Sequence, residues 1–162
     1  MTGHNPTDRS KLGTKRHILT DKDGIPLSTI ITSANTHDII VAIETVDSMV
    51  IKRPFSKSTT TKNRNKQKKQ NLCLDKAYHS KEIEQEIVKR GYIPHIRHRR
   101  EDNDEKKHIK RHPARRWVVE RTNSWHNRFR KLFTRYEKKD ENYLGLVKLA
   151  NSIIIYRRLI LG

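Results

Sequence analysis

The chain has 162 residues, 33% hydrophobic and 33% charged, with 36 Lys and Arg against 18 Asp and Glu, a formal net charge of +18 and a pI near 10.3. That length suits one domain with a modest core, and self-repulsion of this size points to a polyanionic partner, nucleic acid ahead of an anionic membrane. No stretch reaches the ~20 apolar residues of a membrane span, Met1–His4 does not begin a signal peptide, and the single Cys73 excludes an internal disulfide and fits a reducing cytoplasm.

The first ten residues are polar and turn-rich. Lys15 to Thr20 and Pro26 to Ala34 are β-prone runs separated by Asp21-Lys22-Asp23-Gly24, which predicts a hairpin because Asp-Gly tolerates positive φ. His37-Asp38 opens a helix-like run in which Ile39, Ala42, Ile43, Val46, Met49 and Val50 recur every three or four residues. Residues 52–70 carry many Lys and Arg and no acid, and read as a basic flexible loop able to contact phosphate. Asn71 to Leu74 predicts a short strand ending at Asp75, with Cys73 buried as a small hydrophobe. Ser80 predicts the cap of a helix through Arg90, with Glu84 and Glu86 on its outer face and Gly91 as its stop. Tyr92 to Ile96 predicts another strand. A second basic region follows, and Pro113 suits the first turn of a long helix to about Lys138. A last helix, about Asn142 to Leu159, gives the chain a helical C-terminal part. Strands separated by helices make an α/β fold, with residues 1–162 as a single domain.

Two acids stand out against the positive charge. Asp75 ends a strand, where chemistry in α/β sheets tends to gather. Glu120 sits in Arg115-Arg116-Trp117-Val118-Val119-Glu120-Arg121-Thr122-Asn123-Ser124-Trp125, a basic amphipathic helix. Val118, Trp125, Phe129, Leu132 and Tyr136 form one apolar stripe, and Glu120 lies off it with Arg116, Asn123 and Asn127. Such a pair suits Mg²⁺, which prefers oxygen ligands and leaves positions for water or phosphate. The same residues also fit a helix cap at Asp75 and an ion pair of Glu120 with Arg116 or Arg121. Trp117 and Trp125 read as core rather than as base-stacking platforms. His95/His98 and His108/His112 have spacings that could hold Zn²⁺, but no cysteine pair supports them.

Five motifs, in order, resemble a bacterial insertion-sequence transposase of the DDE type. They are Asn5–Arg16, Ala34-Asn35-Thr36-His37-Asp38, Leu72-Cys73-Leu74-Asp75-Lys76-Ala77-Tyr78, Gly91–Arg97 and Arg115–Thr122. The likeness is to the IS-five family, with an IS-four-like catalytic domain, in the branch with a Tyr-Arg-Glu signature. It implies an RNase H-like catalytic domain in which Asp75 is the second catalytic acid, Glu120 the third, and both are metal ligands. Arg116 matches the signature arginine. The signature tyrosine is replaced by Pro113, and the later lysine by Asn127, which leaves Arg128 or Lys131 for its phosphate-positioning role.

The family's first acid lies on a strand upstream of the Asn5–Arg9 motif. The resemblance is therefore to the carboxyl-terminal portion, an incomplete domain whose first, central strand is missing. Two sheet edges should then be left unpaired. The complete enzyme would use two Mg²⁺ (or Mn²⁺) ions, with water attacking the transposon end and the freed 3′-hydroxyl attacking target DNA. Arg116, Arg121, Arg128, Lys131, Lys15 and Arg16 are the DNA-binding candidates. The implied partners are double-stranded DNA, an upstream-encoded amino-terminal portion and a second copy in a homodimer, with no membrane, at the nucleoid of a bacterial cytoplasm. Alone, the chain is expected to bind DNA without cleaving it. A non-catalytic basic nucleic-acid-binding protein, or an inert transposase remnant, is the alternative.

Overall fold

A computed structural model of the chain describes residues 2–6, 9–51, 69–96 and 116–162, with Arg116 described through its backbone alone. The chain forms two compact units, Met1–Val50 with Arg116–Gly162 and Ile51–Arg115. Most of the 52–70 loop, the basic region after Arg97 and the helix start at Pro113 lie outside the described residues.

The first unit is built on an antiparallel sheet in the order β1 (Gly3–His4), β2 (Leu12–Thr20), β3 (Pro26–Ser33). The predicted hairpin forms. The Asp21 carboxylate accepts from the backbone N–H groups of Asp23 and Ile25, each at 2.8 Å, and Gly24 takes φ 79°. β2 and β3 pair from Thr14↔Ser33 to Thr20↔Pro26, while β1 meets β2 only at Leu12 and Gly13. The run after His37 is a 3₁₀ turn, Asp38–Val41, followed by the short α1 (Ala42–Asp47). It stops before Val50, which is exposed, as is Ile40. Only Val41, Ala42 and Val46 of that run are buried apolar residues.

The single helix to Lys138 is not formed. The structure has α3 (Arg116–Asn127), then an extended Phe129 (φ −86°, ψ 107°), then the one-turn α4 (Arg130–Phe133). Arg135 then turns the chain. Its guanidinium donates to Glu137 O at 2.8 Å, to the Asp140 carboxylate at 2.6 Å and to the Thr14 hydroxyl, and lies 5.0 Å from the Tyr143 ring centre. The final helix follows as α5 (Asp140–Leu159).

Leu132, Tyr143, Val147 and Ala150 form the core cluster, with Ile31, Phe129 and Leu146 packed on it. A chain so poor in apolar residues also buries hydroxyls, and each has a partner, as buried polar groups require. Ser28 donates to Thr45 O at 2.6 Å, and Thr45 donates to Val41 O at 2.7 Å. Thr32 meets His17 Nε2 at 2.7 Å, and Thr29 accepts from Asn151 at 2.9 Å. The buried face of α3 is correspondingly Val118, Thr122 and His126, spaced by four. The expected stripe is thus corrected, because Tyr136 lies beyond the break and is exposed.

The second unit is a parallel pair, β4 (Gln70–Leu74) and β5 (Tyr92–Ile96), in register from Gln70↔Tyr92 to Leu74↔Ile96. A parallel pair needs a crossover, and α2 (Lys81–Lys89) supplies it, ending before Gly91 at φ 76°. Leu72, Ile87 and Tyr92 are buried. With Leu72 turned inward, the two-residue period of a strand turns its neighbour outward. Cys73 is therefore exposed, not buried as expected. Glu86 pairs on the surface with Lys89 and Arg90, each at 2.6 Å. Glu84, expected on the outer face, is instead half-buried 3.5 Å from His79 Nδ1.

Candidate functional site

Asp75 stands immediately after β4 and before a 3₁₀ turn, Lys76–Tyr78. Its extended backbone (φ −71°, ψ 161°) lets Oδ1 accept from the Lys76 N–H at 2.7 Å, so the capping role open to it from sequence is taken up. The residue is half-buried and keeps its position at the carboxyl end of a strand.

Glu120 is exposed on α3, away from the face formed by Val118, Thr122 and His126. That helix is anchored to the hairpin from behind. Thr122, fully buried, donates to Gly24 O at 2.6 Å, and a Cβ on Gly24 would lie 3.1 Å from the Thr122 hydroxyl and 3.2 Å from the Arg121 guanidinium. On the next turn His126 meets Asn151 Oδ1 at 2.6 Å. No hydrogen bond or ion pair joins Glu120 to the described residues. Arg121, the neighbour that could have neutralised it, lies between two rings, 4.8 Å from the Trp117 centre and 5.2 Å from that of Trp125.

The two acids are therefore held by different means in different units, Asp75 in the second and Glu120 in the first. Each offers the hard oxygen donor that Mg²⁺ or Mn²⁺ prefers. Among the described residues no group of three or more His, Cys, Asp or Glu side chains is gathered as a metal cluster. Of the zinc candidates, His95 lies on β5 with Nε2 2.8 Å from Asn71 Oδ1, and His98, His108 and His112 lie outside the described residues.

The basic candidates divide. Arg128 and Lys131 are exposed at the break between α3 and α4. Lys15 pairs with Asp38 at 3.0 Å and donates to Thr36 O at 2.8 Å. Arg16 donates to Asn127 Oδ1 at 3.1 Å and to Leu132 O at 3.2 Å, tying β2 to the end of α3. Arg116 opens α3. Burial holds the pKa of His126 below its ordinary 6.5, opposed by the hydrogen bond to Asn151. Burial also lowers that of His17, opposed by Asp38.

The core assignment of the tryptophans fails for Trp117, which is 54% exposed. Sequence reasoning also missed Arg158, 4.6 Å from the Trp125 ring centre. The signal for part of this was present, since Trp117, Arg121 and Trp125 are spaced by four, which puts them on one helical face.

A basic α/β chain with a carboxylate at a strand end and another on a basic helix belongs among the proteins that act on nucleic acid. The comparisons make the class specific. Residues 2–155 match the transposase DDE domain family, and the chain belongs to it. It is 32% identical over 158 residues to a Burkholderia cepacia protein assigned as a transposase for insertion sequence element IS402, a match covering 98% of this chain and 70% of that relative. No solved structure matches the chain at a significant level. The family and the relative give the chain a role in transposition, with DNA as substrate. DDE transposase domains generally use divalent metals. Among the described residues no helix is long and apolar enough to cross a membrane.

Proposed function

We propose that the chain is an RNase H-like catalytic portion of an IS-five-type transposase, with Asp75 and Glu120 the acids that hold the divalent ions for DNA cleavage and strand transfer. An antiparallel hairpin, a parallel pair joined by a helix, and C-terminal helices support the fold reading. The observation that carries the site reading is Glu120 itself. It is an exposed carboxylate in a +18 chain, on a helix rich in arginine, and it has no ion-pair partner among the described residues. An exposed carboxylate on an arginine-rich helix, without an ion-pair partner among the described residues, is suited to bind a hard dication.

Asp75 and Glu120 would hold the divalent ion, which would supply Lewis-acid activation for phosphodiester chemistry. The chain's own residues do the rest. Thr122 and His126 fix α3 so that Glu120 faces solvent, and Asp75 is fixed by its hydrogen bond to the Lys76 N–H. Exposed Arg128 and Lys131 meet phosphates, as does Arg116 at the opposite end of α3. Arg16 holds the end of α3 and acts on DNA through that placement. Binding should weaken with salt, log K falling by about 0.9 per phosphate neutralised for each tenfold rise in salt.

Titrating Mn²⁺ into the 162-residue chain, and into its Asp75→Ala and Glu120→Ala variants, tests the assignment. A metal site loses affinity in both variants while DNA binding at fixed salt persists. A non-catalytic binding module loses nothing in either, and that result would overturn the proposal. Equal metal affinity in wild type and Glu120→Ala would remove Glu120 from the site.

A further inference from the structure

Asn151, on α5, bridges two elements that are distant from it in sequence. Its Oδ1 lies 2.6 Å from His126 Nε2 on α3, and its Nδ2 donates to Thr29 Oγ1 on β3 at 2.9 Å. An amide oxygen only accepts, so His126 carries its proton on Nε2. The relay therefore runs one way, from α3 through α5 to the hairpin. His126 is fully buried and Thr29 nearly so. The other ring nitrogen, Nδ1, is buried with no hydrogen-bond partner, so the bond to Asn151 is what orients the ring. One turn earlier Thr122 donates to Gly24 O, at the tip of the same hairpin. The helix is thus referred to one hairpin at two points, directly through Thr122 and indirectly through Asn151.

We propose that Asn151 is a positioning residue for Glu120, setting the rotation of α3, through His126, against Thr29 of the hairpin. The inference rests on the reading of Glu120 as an acid that holds metal. On the buried face of α3 only Val118 is apolar, beside Thr122 and His126. Apolar contact is non-directional, so it resists separation of the elements more than rotation of the helix about its axis. Buried polar groups fix register where apolar ones would let elements slip. A side chain reaches about 5–6 Å from a helix axis, so a rotation of about 10° carries its tip about 1 Å. A binding constellation tolerates roughly 0.5 Å. Glu120 is exposed, with no hydrogen bond or ion pair to the described residues, so its direction is that of the helix. The amide of Asn151 thereby acts on an acid that it does not touch.

The test measures Mn²⁺ affinity and the urea midpoint on the full 162-residue chain, for wild type, Glu120→Ala, Asn151→Leu, and Asn151→Leu combined with His126→Phe. Asn151→Leu leaves the His126 N–H unpaired and should lower both quantities. The double variant replaces both partners by apolar groups of similar shape, which should bring stability back toward wild type. It does not restore direction, so Mn²⁺ affinity should stay down roughly tenfold, the smaller end of what the partners behind a metal ligand contribute. Thr29→Val removes only the far end of the relay and should lower Mn²⁺ affinity by a smaller factor, which decides the matter should the double variant not fold. Affinity that returns with stability in the double variant, or is unchanged in Thr29→Val, overturns the positioning role. A loss in Glu120→Ala would then leave that acid's own role standing. Equal Mn²⁺ binding by wild type and Glu120→Ala overturns both.

Discussion

Asp75 and Glu120 contrast in how much structural work each does. Asp75 sits at a junction between strand and turn, and its carboxylate already accepts a backbone hydrogen bond. Glu120 projects from a helix whose stability comes from the other side, through Val118, Thr122 and His126. One acid is held because the backbone needs it, and the other is held clear of any such need. A residue of the second kind has a function or none, whereas a residue of the first kind would persist for its structural role alone.

The contrast is most easily broken from behind Glu120. Thr122→Val removes the donor to Gly24 O and should cost about 1–3 kcal/mol, the penalty for leaving a buried polar group unpaired, read as a lower urea midpoint. Asp75→Ala should cost about 0.5–2 kcal/mol, as losing a helix cap does. Asp75→Asn should restore much of that stability, since Asn caps as well as Asp, while still weakening Mn²⁺ binding. Glu120→Ala should stay within about 0.5 kcal/mol of wild type, as surface substitutions do. A loss equal to that of Asp75→Ala would erase the distinction.

The smallest expected effect is one of pH. Burial lowers the pKa values of His126 and His17 from the ordinary 6.5. As pH falls below about 6.5 the unfolded chain takes up protons that the folded chain refuses, so stability falls with pH through that window. Both histidines belong to the first unit, so hydrogen exchange at pH 5.5 against pH 7.5 should show loosening around α3 and the hairpin. His126→Gln should reduce the difference. Loosening centred on α2 and β4 instead would count against this account.

Much of the local structure was legible because it follows from single residues. Asp21 and Gly24 announce the hairpin, Gly91 ends α2 at a positive φ, and the short apolar run Leu72-Cys73-Leu74 marks a strand. The break of the long helix was not legible, since residues Asn127 to Arg130 contain neither Gly nor Pro to signal it. The buried face of α3 was misread for a related reason. Thr122 and His126 are polar, so a hydrophobic pattern passes over them, and their burial depends on Gly24 and Asn151, which are distant in sequence. Trp117 was misplaced because a tryptophan on an amphipathic helix is usually core, and only the rotation of the helix about its axis shows that it is not. At the site, both acids could be picked out by position and motif order. Their contrasting supports could not, because those are made by contacts.

The arrangement of the first unit has a kinetic consequence. It is assembled from residues before 51 and after 115, with Arg16 bonded to partners 111 and 116 residues further along the chain. A ribosome delivering about 5–20 residues per second leaves the β2–β3 hairpin without α3 and α5 for several seconds while the intervening segment is made. Throughout that interval α1 can already offer Thr45 O to Ser28, and the hairpin itself pairs His17 with Thr32, so Thr29, whose partner Asn151 lies on α5, is the buried hydroxyl left waiting. Hydroxyls can wait in water in a way that leucines cannot. A strand that offers the hydroxyl of Thr29 to its last helix is thereby suited to a chain whose two ends must meet late.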